Sequence, residues 1–311
     1  SGMVSASWRL HCFAGNFPQW QHSDKRMTSF SKILGFGVLA VCVIAVFLGG
    51  IVIRDSQSVA RIAFLNVGQG DAILVSLGSN QLLIDTGKNS RALLSELGKI
   101  MSPWDRTLEM VLLTHPDQDH VGAFPDVVAR YDVKLLLSAE LPETSAIGQS
   151  IRREIDRRKI QRIEPRAGLI LTFAPDMRLE TLFPGKEFIA DPKNTNASSI
   201  VELLRVGKDA FLFTGDLPRE ELVLPATDIR VLKVAHHGSK YSTSDAFLDR
   251  MTPEEAVISV GKNSYGHPAE DVLTRLSNHR VRTFRTDTTG TILYTCPIVP
   301  DASCTVAEPS F

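Results

Sequence analysis

Hydrophobic and polar positions divide this chain into two parts. From Ile33 to Ile53 every side chain is uncharged, and nearly all are Leu, Ile, Val, Ala, Phe or Gly. That is about twenty residues with no polar face, the length a helix needs to cross a ~30 Å hydrocarbon core. The expectation is a single transmembrane anchor over 33–53. A cleaved signal peptide is the alternative, but the run is long and no clear Ala-x-Ala site follows it. Lys25, Arg26 and Lys32 before the run, against Arg54 and Asp55 after it, place the N-terminus in the cytoplasm and the bulk of the chain outside. Residues 1–32 show no periodicity and are expected to be a disordered tail, with Met27 a plausible true start.

Beyond a linker over 54–60 the pattern changes. Arg61 to Val67, Asp71 to Leu77 and Gln81 to Ile84 are short Ile/Leu/Val-rich runs separated by Gly-containing turns, a strand meander. Leu93, Leu94, Leu97, Ile100 and Met101 recur at helical spacing, and the helix they predict stops before Pro103. Met110 to Leu113 is a buried strand, Gly122 to Tyr131 a helix and Val133 to Leu137 a strand. Ser145 to Ile160 is a helix of mixed charge. Its Arg152, Arg153, Arg157, Arg158 and Lys159 are diluted by Glu154 and Asp156 and read as a solvated face rather than a nucleic-acid contact. Strands follow at Leu169–Phe173, Arg178–Phe183, Ser199–Val206, Ala210–Phe213, Ile229–Ala235, Ala256–Val260, Val281–Arg285 and Thr291–Tyr294, with a helix at Ala269–Leu276. Strand clusters interleaved with helices predict two stacked sheets with helices outside. The folded domain is expected over 61–295, with a tail over 296–311.

Composition adds little. At 311 residues the chain can bury a substantial core, and its net charge of −1 implies no strong global attraction to nucleic acid or anionic membranes. Cys296 and Cys304 would close a small loop in an oxidising compartment or stand as free thiols; both readings remain open.

The chemistry is concentrated at strand ends. The apolar run Val111-Leu112-Leu113 leads directly into Thr114-His115-Pro116-Asp117-Gln118-Asp119-His120, four ligand-type side chains within six positions. Gln81 to Ile84 ends in Asp85. Phe211-Leu212-Phe213 runs into Thr214-Gly215-Asp216, with Gly215 permitting a sharp turn. Leu232-Lys233-Val234-Ala235 runs into His236-His237-Gly238-Ser239, and Tyr265-Gly266-His267-Pro268 follows the strand ending at Gly261. Clusters of this kind behind several buried strands predict one rim carrying one site. His11, His22 and His279 receive no role.

This ordered set resembles the metallo-β-lactamase superfamily. Within it, Val67-Gly68-Gln69-Gly70-Asp71, the His115–His120 turn, His236-His237-Gly238-Ser239 and Tyr265-Gly266-His267-Pro268 resemble the C-terminal domain of ComEC-like competence proteins. The likeness covers Arg61 to about Tyr294 and implies a four-layer αββα sandwich, here preceded by one transmembrane helix, with a two-metal site at one edge. The many-helix channel of a full-length ComEC has no counterpart in this sequence, so a stand-alone, single-anchor form is expected.

The resemblance implies that His115 and Asp117 hold one metal, that Asp216 bridges, and that Asp119, His120 and His237 hold the second. Asp85 would orient a ligand or the water. His236 would be a substrate contact or support a ligand. Asp119 would position the hydroxide. His267, Lys240, Ser239 and His236 are candidates to bind a phosphoryl oxygen or protonate the leaving group, with Asn196 and Ser198 beside the substrate. Three positions depart from the family pattern. Asp117 replaces a His, a separate metal-binding His has no counterpart near Asn194 to Ser199, and Asn66 stands where ComEC-like chains usually carry Asp. Oxygen donors in place of imidazole favour Mn²⁺ over Zn²⁺ and weaken the first site.

The function expected is a membrane-anchored, extracytoplasmic phosphodiesterase cutting DNA with a metal-activated water, linked to DNA uptake through a channel partner. The alternatives are hydrolysis of another ester, such as a phosphorylcholine ester or a lactone, and a nucleic-acid-binding module with weakened catalysis.

Overall fold

A computed structural model describes residues 59–142 and 144–307. The expected tail, the anchor Ile33–Ile53 and all but the last residues of the linker lie outside that range. Among the described residues, no helix is long and apolar enough to cross a membrane.

The first half builds one sheet. Its strands are β1 (Val59–Phe64), β2 (Ile73–Leu77), β3 (Asn80–Ile84), β4 (Thr107–Leu113), β5 (Asp132–Ser138) and β6 (Gln161–Ile163). The second sheet takes β7 (Ile170–Ala174), β8 (Met177–Phe183), β9 (Val201–Val206), β10 (Asp209–Phe213), β11 (Val231–Lys233), β12 (Glu255–Ile258) and β13 (Arg282–Arg285). The chain then returns to the first sheet with β14 (Ile292–Pro297) and β15 (Thr305–Val306). Spatial orders are β15-β14-β1-β2-β3-β4-β5-β6 and β13-β12-β11-β10-β9-β8-β7.

Side chains alternate across each strand, so every central strand feeds two cores. Leu112 and Leu137 face the gap between the sheets with Phe64, Phe211, Phe213 and Tyr294. Their neighbours Val111, Leu113 and Leu136 point outward. There they are covered by α1 (Ser90–Ile100), α2 (Gln118–Val121), α3 (Phe124–Arg130) and α4 (Ala146–Arg158). On the far side α5 (Asp245–Met251) and α6 (Glu270–Asn278) cover the second sheet through Phe247, Met251, Val272 and Leu276. A short α7 (Thr286–Thr289) leads out of β13. Strands apolar on both faces are what this burial requires, which is why Met110 to Leu113 and Ala210 to Phe213 read as unbroken apolar runs.

Three details differ from the sequence expectation. The helix predicted at 122–131 is α3, starting two residues later with Pro125 in its first turn, and it is preceded by the separate single turn of α2, which the sequence pattern does not show. The strand at β6 follows a left-handed cap at Lys159, which periodicity does not reveal. The stretch from Cys296, expected as a tail, is sheet edge. Cys296 lies in β14, is bonded to Cys304, and the chain then pairs back as β15.

Placement of the site follows from strand direction. Strands β3 to β6 run parallel, and so do β10 to β13. Their C-terminal ends meet along one rim, where loops from both sheets face each other. The backbone N–H of Ile200, entering β9, donates to Thr114 O at 3.0 Å and ties the two sheets together there.

Candidate metal centre

Four strand ends deliver the polar residues. Asp85 follows β3, Thr114 and His115 follow β4, Asp216 follows β10, and His236 and His237 follow β11. The loop between β1 and β2 contributes Asp71, and the single turn of α2 contributes Asp119 and His120. Gly215, at φ +52°, makes the turn into Asp216, where an added Cβ would crowd Ser199 Cβ and Thr114 Oγ1 at 3.0 and 3.2 Å. Asp85, His236 and His237 also hold positive φ (58°, 51° and 54°), a conformation that costs each non-glycine residue about 1 kcal/mol or more. The backbone is bent to aim these side chains, and the Asp85 N–H bond to Leu112 O at 2.7 Å helps hold it there.

Each buried imidazole spends one nitrogen on a neighbour. His120 Nδ1 lies 2.7 Å from Asp85 Oδ2, and His237 Nδ1 donates to Ser259 O at 2.8 Å. His115 Nδ1 is 3.1 Å from Thr114 Oγ1, which itself donates to Asp85 Oδ2 at 2.7 Å. The remaining nitrogens, Nε2 of His115, His120 and His237, are buried without a hydrogen-bond partner, as is Asp216 Oδ1. These orphaned atoms converge. Asp216 Oδ1 is 3.2 Å from His120 Nε2, and Asp216 Oδ2 is 3.6 Å from His237 Nε2 and 3.9 Å from His115 Nε2. Asp119 Oδ2 lies 3.3 Å from His237 Nε2, and Asp117 Oδ2 lies 3.8 Å from His115 Nε2.

Buried polar atoms left unpaired cost free energy, and lone pairs that converge in this way call for a cation. Among the described residues four overlapping groups have geometry for one: His115, His120 and Asp216; Asp119, His120 and His237; Asp71, Asp216 and His237; and Asp71, Asp85 and His120. Asp216 sits between the His115 side and the His237 side. The residues fit one or two divalent ions.

Charge agrees with geometry. Burial disfavours the imidazolium of His120 and His237, yet Asp216, Asp71 and Asp85 or Asp119 outweigh it. They raise His120 well above its usual value and His237 to about 9. Burial and the adjacent His120 pull His115 down to about 3. Asp216 is held well below the carboxylate range: the nearby imidazoles overcome its desolvation. The site is an excess of carboxylates that draws in protons where no metal supplies charge.

Of the residues singled out from sequence, His115, Asp117, Asp119, His120, Asp216 and His237 come together, with Asp85 behind His120. His236 is half-buried, its Nε2 3.8 Å from Asp216 Oδ2, and Asn196 Nδ2 approaches its ring at 3.4 Å. His267 lies beyond it, ring centroids 5.4 Å apart. Three others stay outside. Lys240 projects over the exposed Tyr241 ring at 5.0 Å, Ser198 Oγ donates to Thr195 O at 2.6 Å, and Ser239 Oγ caps the following turn at Tyr241 N.

Two further residues belong to the centre. Asp71 and Lys233 are both buried and form a close ion pair, with Lys233 Nζ also donating to Gly215 O at 3.1 Å. Asp71 accompanies His237, its Oδ1 3.4 Å from Nδ1. The signal for Lys233 is a lone charge in the apolar run Val231 to Ala235; for Asp71 it is the carboxylate closing the Gly68-Gln69-Gly70 turn. Thr195 is a third, donating to Asp117 Oδ1 at 2.6 Å.

Residues 65–262, which span every ligand candidate, match the family model of the metallo-beta-lactamase superfamily. The chain belongs to this superfamily. Among curated proteins it is 32% identical over 265 residues to "ComE operon protein 3" of Bacillus subtilis, covering 76% of this chain and 33% of that protein. It is 29% identical to "Competence protein ComA" of Neisseria gonorrhoeae and to "Recombination protein 2" of Haemophilus influenzae, over 84% and 83% of this chain. It covers 36% and 31% of those two. This metallo-β-lactamase chain is thus ComEC-like, and it spans about a third of the length of these relatives. Among solved structures, YhfI of Bacillus subtilis superposes with TM-score 0.53 at 13% identity, covering 77% of this chain and 100% of YhfI. Igni18 of Ignicoccus hospitalis, described as a metallo hydrolase, gives 0.50 at 16% over 75% of this chain and 98% of that one. Both likenesses show the shared fold.

Proposed function

We propose that this chain is an extracytoplasmic, metal-dependent phosphodiesterase that cuts DNA. The observation that carries the hydrolytic reading is the convergence of three unpartnered imidazole Nε2 atoms on Asp216. A divalent ion bound there supplies an acidified water and charge for a developing oxyanion. His115, His120, Asp216, His237, Asp119 and Asp117 would hold it, and their oxygen-rich set favours Mn²⁺ over Zn²⁺.

The chain's own residues supply the rest. Asp119, at the mouth of the centre, stays ionised: the neighbouring His237 and His120, the former 3.3 Å away, overcome its desolvation. It is placed to accept a proton from the attacking water. His236 and His267 are held neutral, chiefly by burial, so each presents one N–H that can donate to a phosphoryl oxygen. Lys240, Ser198 and Ser239 have no such position. Asp85 and Thr195 act through their neighbours, holding His120 and Asp117.

DNA is the substrate favoured by the relatives' names, which speak of competence and recombination. The Cys296–Cys304 disulfide and the apolar stretch Ile33–Ile53 support a membrane-tethered domain in an oxidising compartment, where a DNA-uptake channel would be its partner.

The test is to strip metal from the full chain, restore Mn²⁺, Zn²⁺ or Mg²⁺, and follow labelled DNA and bis(4-nitrophenyl) phosphate. Metal-dependent cleavage of both is expected, lost at least a hundredfold in Asp119→Ala and His237→Ala with the fold intact. Loaded protein that hydrolyses no phosphodiester, or variants that cut normally, would overturn the reading.

A further inference from the structure

The centre described above is anionic, whereas a nucleotide chain carries a charge at every phosphate. Its approach requires local positive charge that the overall composition does not supply. Beside Asp119 the structure has a cleft of ≈ 560 Å³, lined by Gln69, Lys88, Gln118, Lys262 and Tyr265 among others. That is the size of a small-ligand site. It adjoins the centre directly, since Asp119 forms part of both.

The cleft is built. Its walls are the β1–β2 loop, the turn between β3 and α1, the α2 turn and the loop after β12. The first and last of these meet, with the Gly261 backbone N–H donating to the Gln69 side-chain Oε1 at 3.3 Å. A Cβ on Gly261 would lie 2.4 Å from Gly68 C, so only glycine permits the approach. Asn263 holds the loop through Tyr265 and His267. Its amide donates to Gly261 O and His267 O at 2.8 Å, and its Oδ1 accepts from the Tyr265 and His267 N–H groups at 3.0 and 3.1 Å.

That braced loop exposes an aromatic ring. Tyr265 is 74% exposed, and its ring lies 5.8 Å from His267 at an interplanar angle of 30°, while His267 packs against His236. Tyr265, His267 and His236 form a stair of rings descending to Asp216. Lys88 and Lys262 are exposed, and among the described residues neither has a carboxylate within salt-bridge distance. Uncompensated ammonium groups beside an open aromatic face are the two elements of a single-strand binding platform.

We propose that this cleft is a subsite for the nucleotide next to the scissile bond of a single-stranded substrate. Lys88 and Lys262 neutralise the phosphates on either side of it, one each, and Tyr265 stacks on its unpaired base. A duplex base has both faces covered by its neighbours and cannot stack on Tyr265. The assignment deepens the phosphodiesterase reading and rests on it.

Binding is measured on the full chain carrying Asp119→Asn and loaded with Mn²⁺, so that nothing is cut, with a fluorescent single-stranded decanucleotide and a duplex of the same length. Lys88→Ala with Lys262→Ala should flatten the slope of log affinity against log salt by ~1.4, about 0.7 for each lysine charge removed from the phosphates. Tyr265→Ala should weaken single-strand binding about tenfold and duplex binding much less, and Tyr265→Phe should restore it. With Asp119 intact, the triple change Lys88→Ala, Lys262→Ala and Tyr265→Ala should lower the ratio of kcat/KM on the decanucleotide to that on bis(4-nitrophenyl) phosphate tenfold or more. Unchanged salt slope and unchanged affinity would overturn the subsite, as would equal losses on duplex and single strand. Failure of the parent protein to hydrolyse bis(4-nitrophenyl) phosphate would instead strike at the phosphodiesterase reading itself.

Discussion

Asp85 accepts the Nδ1–H of His120 at 2.7 Å, and this bond decides which imidazole nitrogen faces the centre. The same carboxylate accepts the Thr114 N–H at 2.8 Å and its hydroxyl at 2.7 Å. Burial raises the pKa of Asp85, against the opposing pull of His120. An amide at this position keeps one acceptor oxygen but turns its NH₂ toward either the Thr114 N–H or the His120 and Thr114 hydroxyl donors. Asp85→Asn is therefore expected to weaken metal binding ten- to a hundredfold, read by competition with a chromophoric chelator. Parent-like affinity in the variant would remove Asp85 from the orienting role.

Lys233 is a fully buried ammonium between Asp71 and Asp216, the latter at 4.0 Å. Lys233→Met leaves the Asp71 carboxylate without its main counter-charge, and metal-free stability should fall by about 3–5 kcal/mol. Adding Asp71→Asn should recover most of the loss. Urea denaturation in a chelator measures both, and a single variant as stable as the parent would contradict the pairing.

Glu202 is buried in β9 and accepts one hydrogen bond, from Thr181 Oγ1 at 2.8 Å. Burial pushes it up to about 8 from an ordinary value near 4.5. A carboxyl raised on folding stabilises the native state below the unfolded pKa, and that contribution is lost as pH climbs toward the folded one. Between about pH 4.5 and 8 this group should thus cost roughly 3–5 kcal/mol. Glu202→Gln keeps the acceptor and cannot ionise. It should match the parent at pH 5 and exceed it by that amount at pH 9, read by chemical denaturation; equal stabilities at both values would mean Glu202 does not titrate as described.

The Cys296–Cys304 bond closes a loop across a separation of 8 residues at the edge of the first sheet. The chain-entropy relation for so short a loop gives about 2.5 kcal/mol. Reduction, or Cys296→Ser with Cys304→Ser, should lower Tm by ~5–10 °C. Calorimetry with and without reductant decides it, and an unshifted Tm would show that the bond contributes nothing to stability.

Much of this architecture is legible along the chain. Runs apolar on both faces mark the central strands, and the switch from such a run to His115, Asp216 or His237 marks where each strand reaches the rim. Local periodicity carries that information because a side chain's face depends only on its position within the element. The caps are less legible: Lys159 in the left-handed conformation and the break between α2 and α3 depend on contacts that tertiary packing imposes.

The amino-acid sequence by itself determined the inventory: which strands exist, that their ends carry carboxylates and imidazoles, and that these suit a divalent cation. Tertiary structure alone decided which of those groups meet. It separated His237, aimed inward by Ser259, from its neighbour His236, and it left Lys240 and Ser239 outside. It also drew in Asp71 and Lys233, which lie 162 positions apart in sequence yet share one ion pair. Chain order specifies side-chain chemistry and local direction, whereas distances across two stacked sheets are set by turns, positive-φ residues and the packing that holds them.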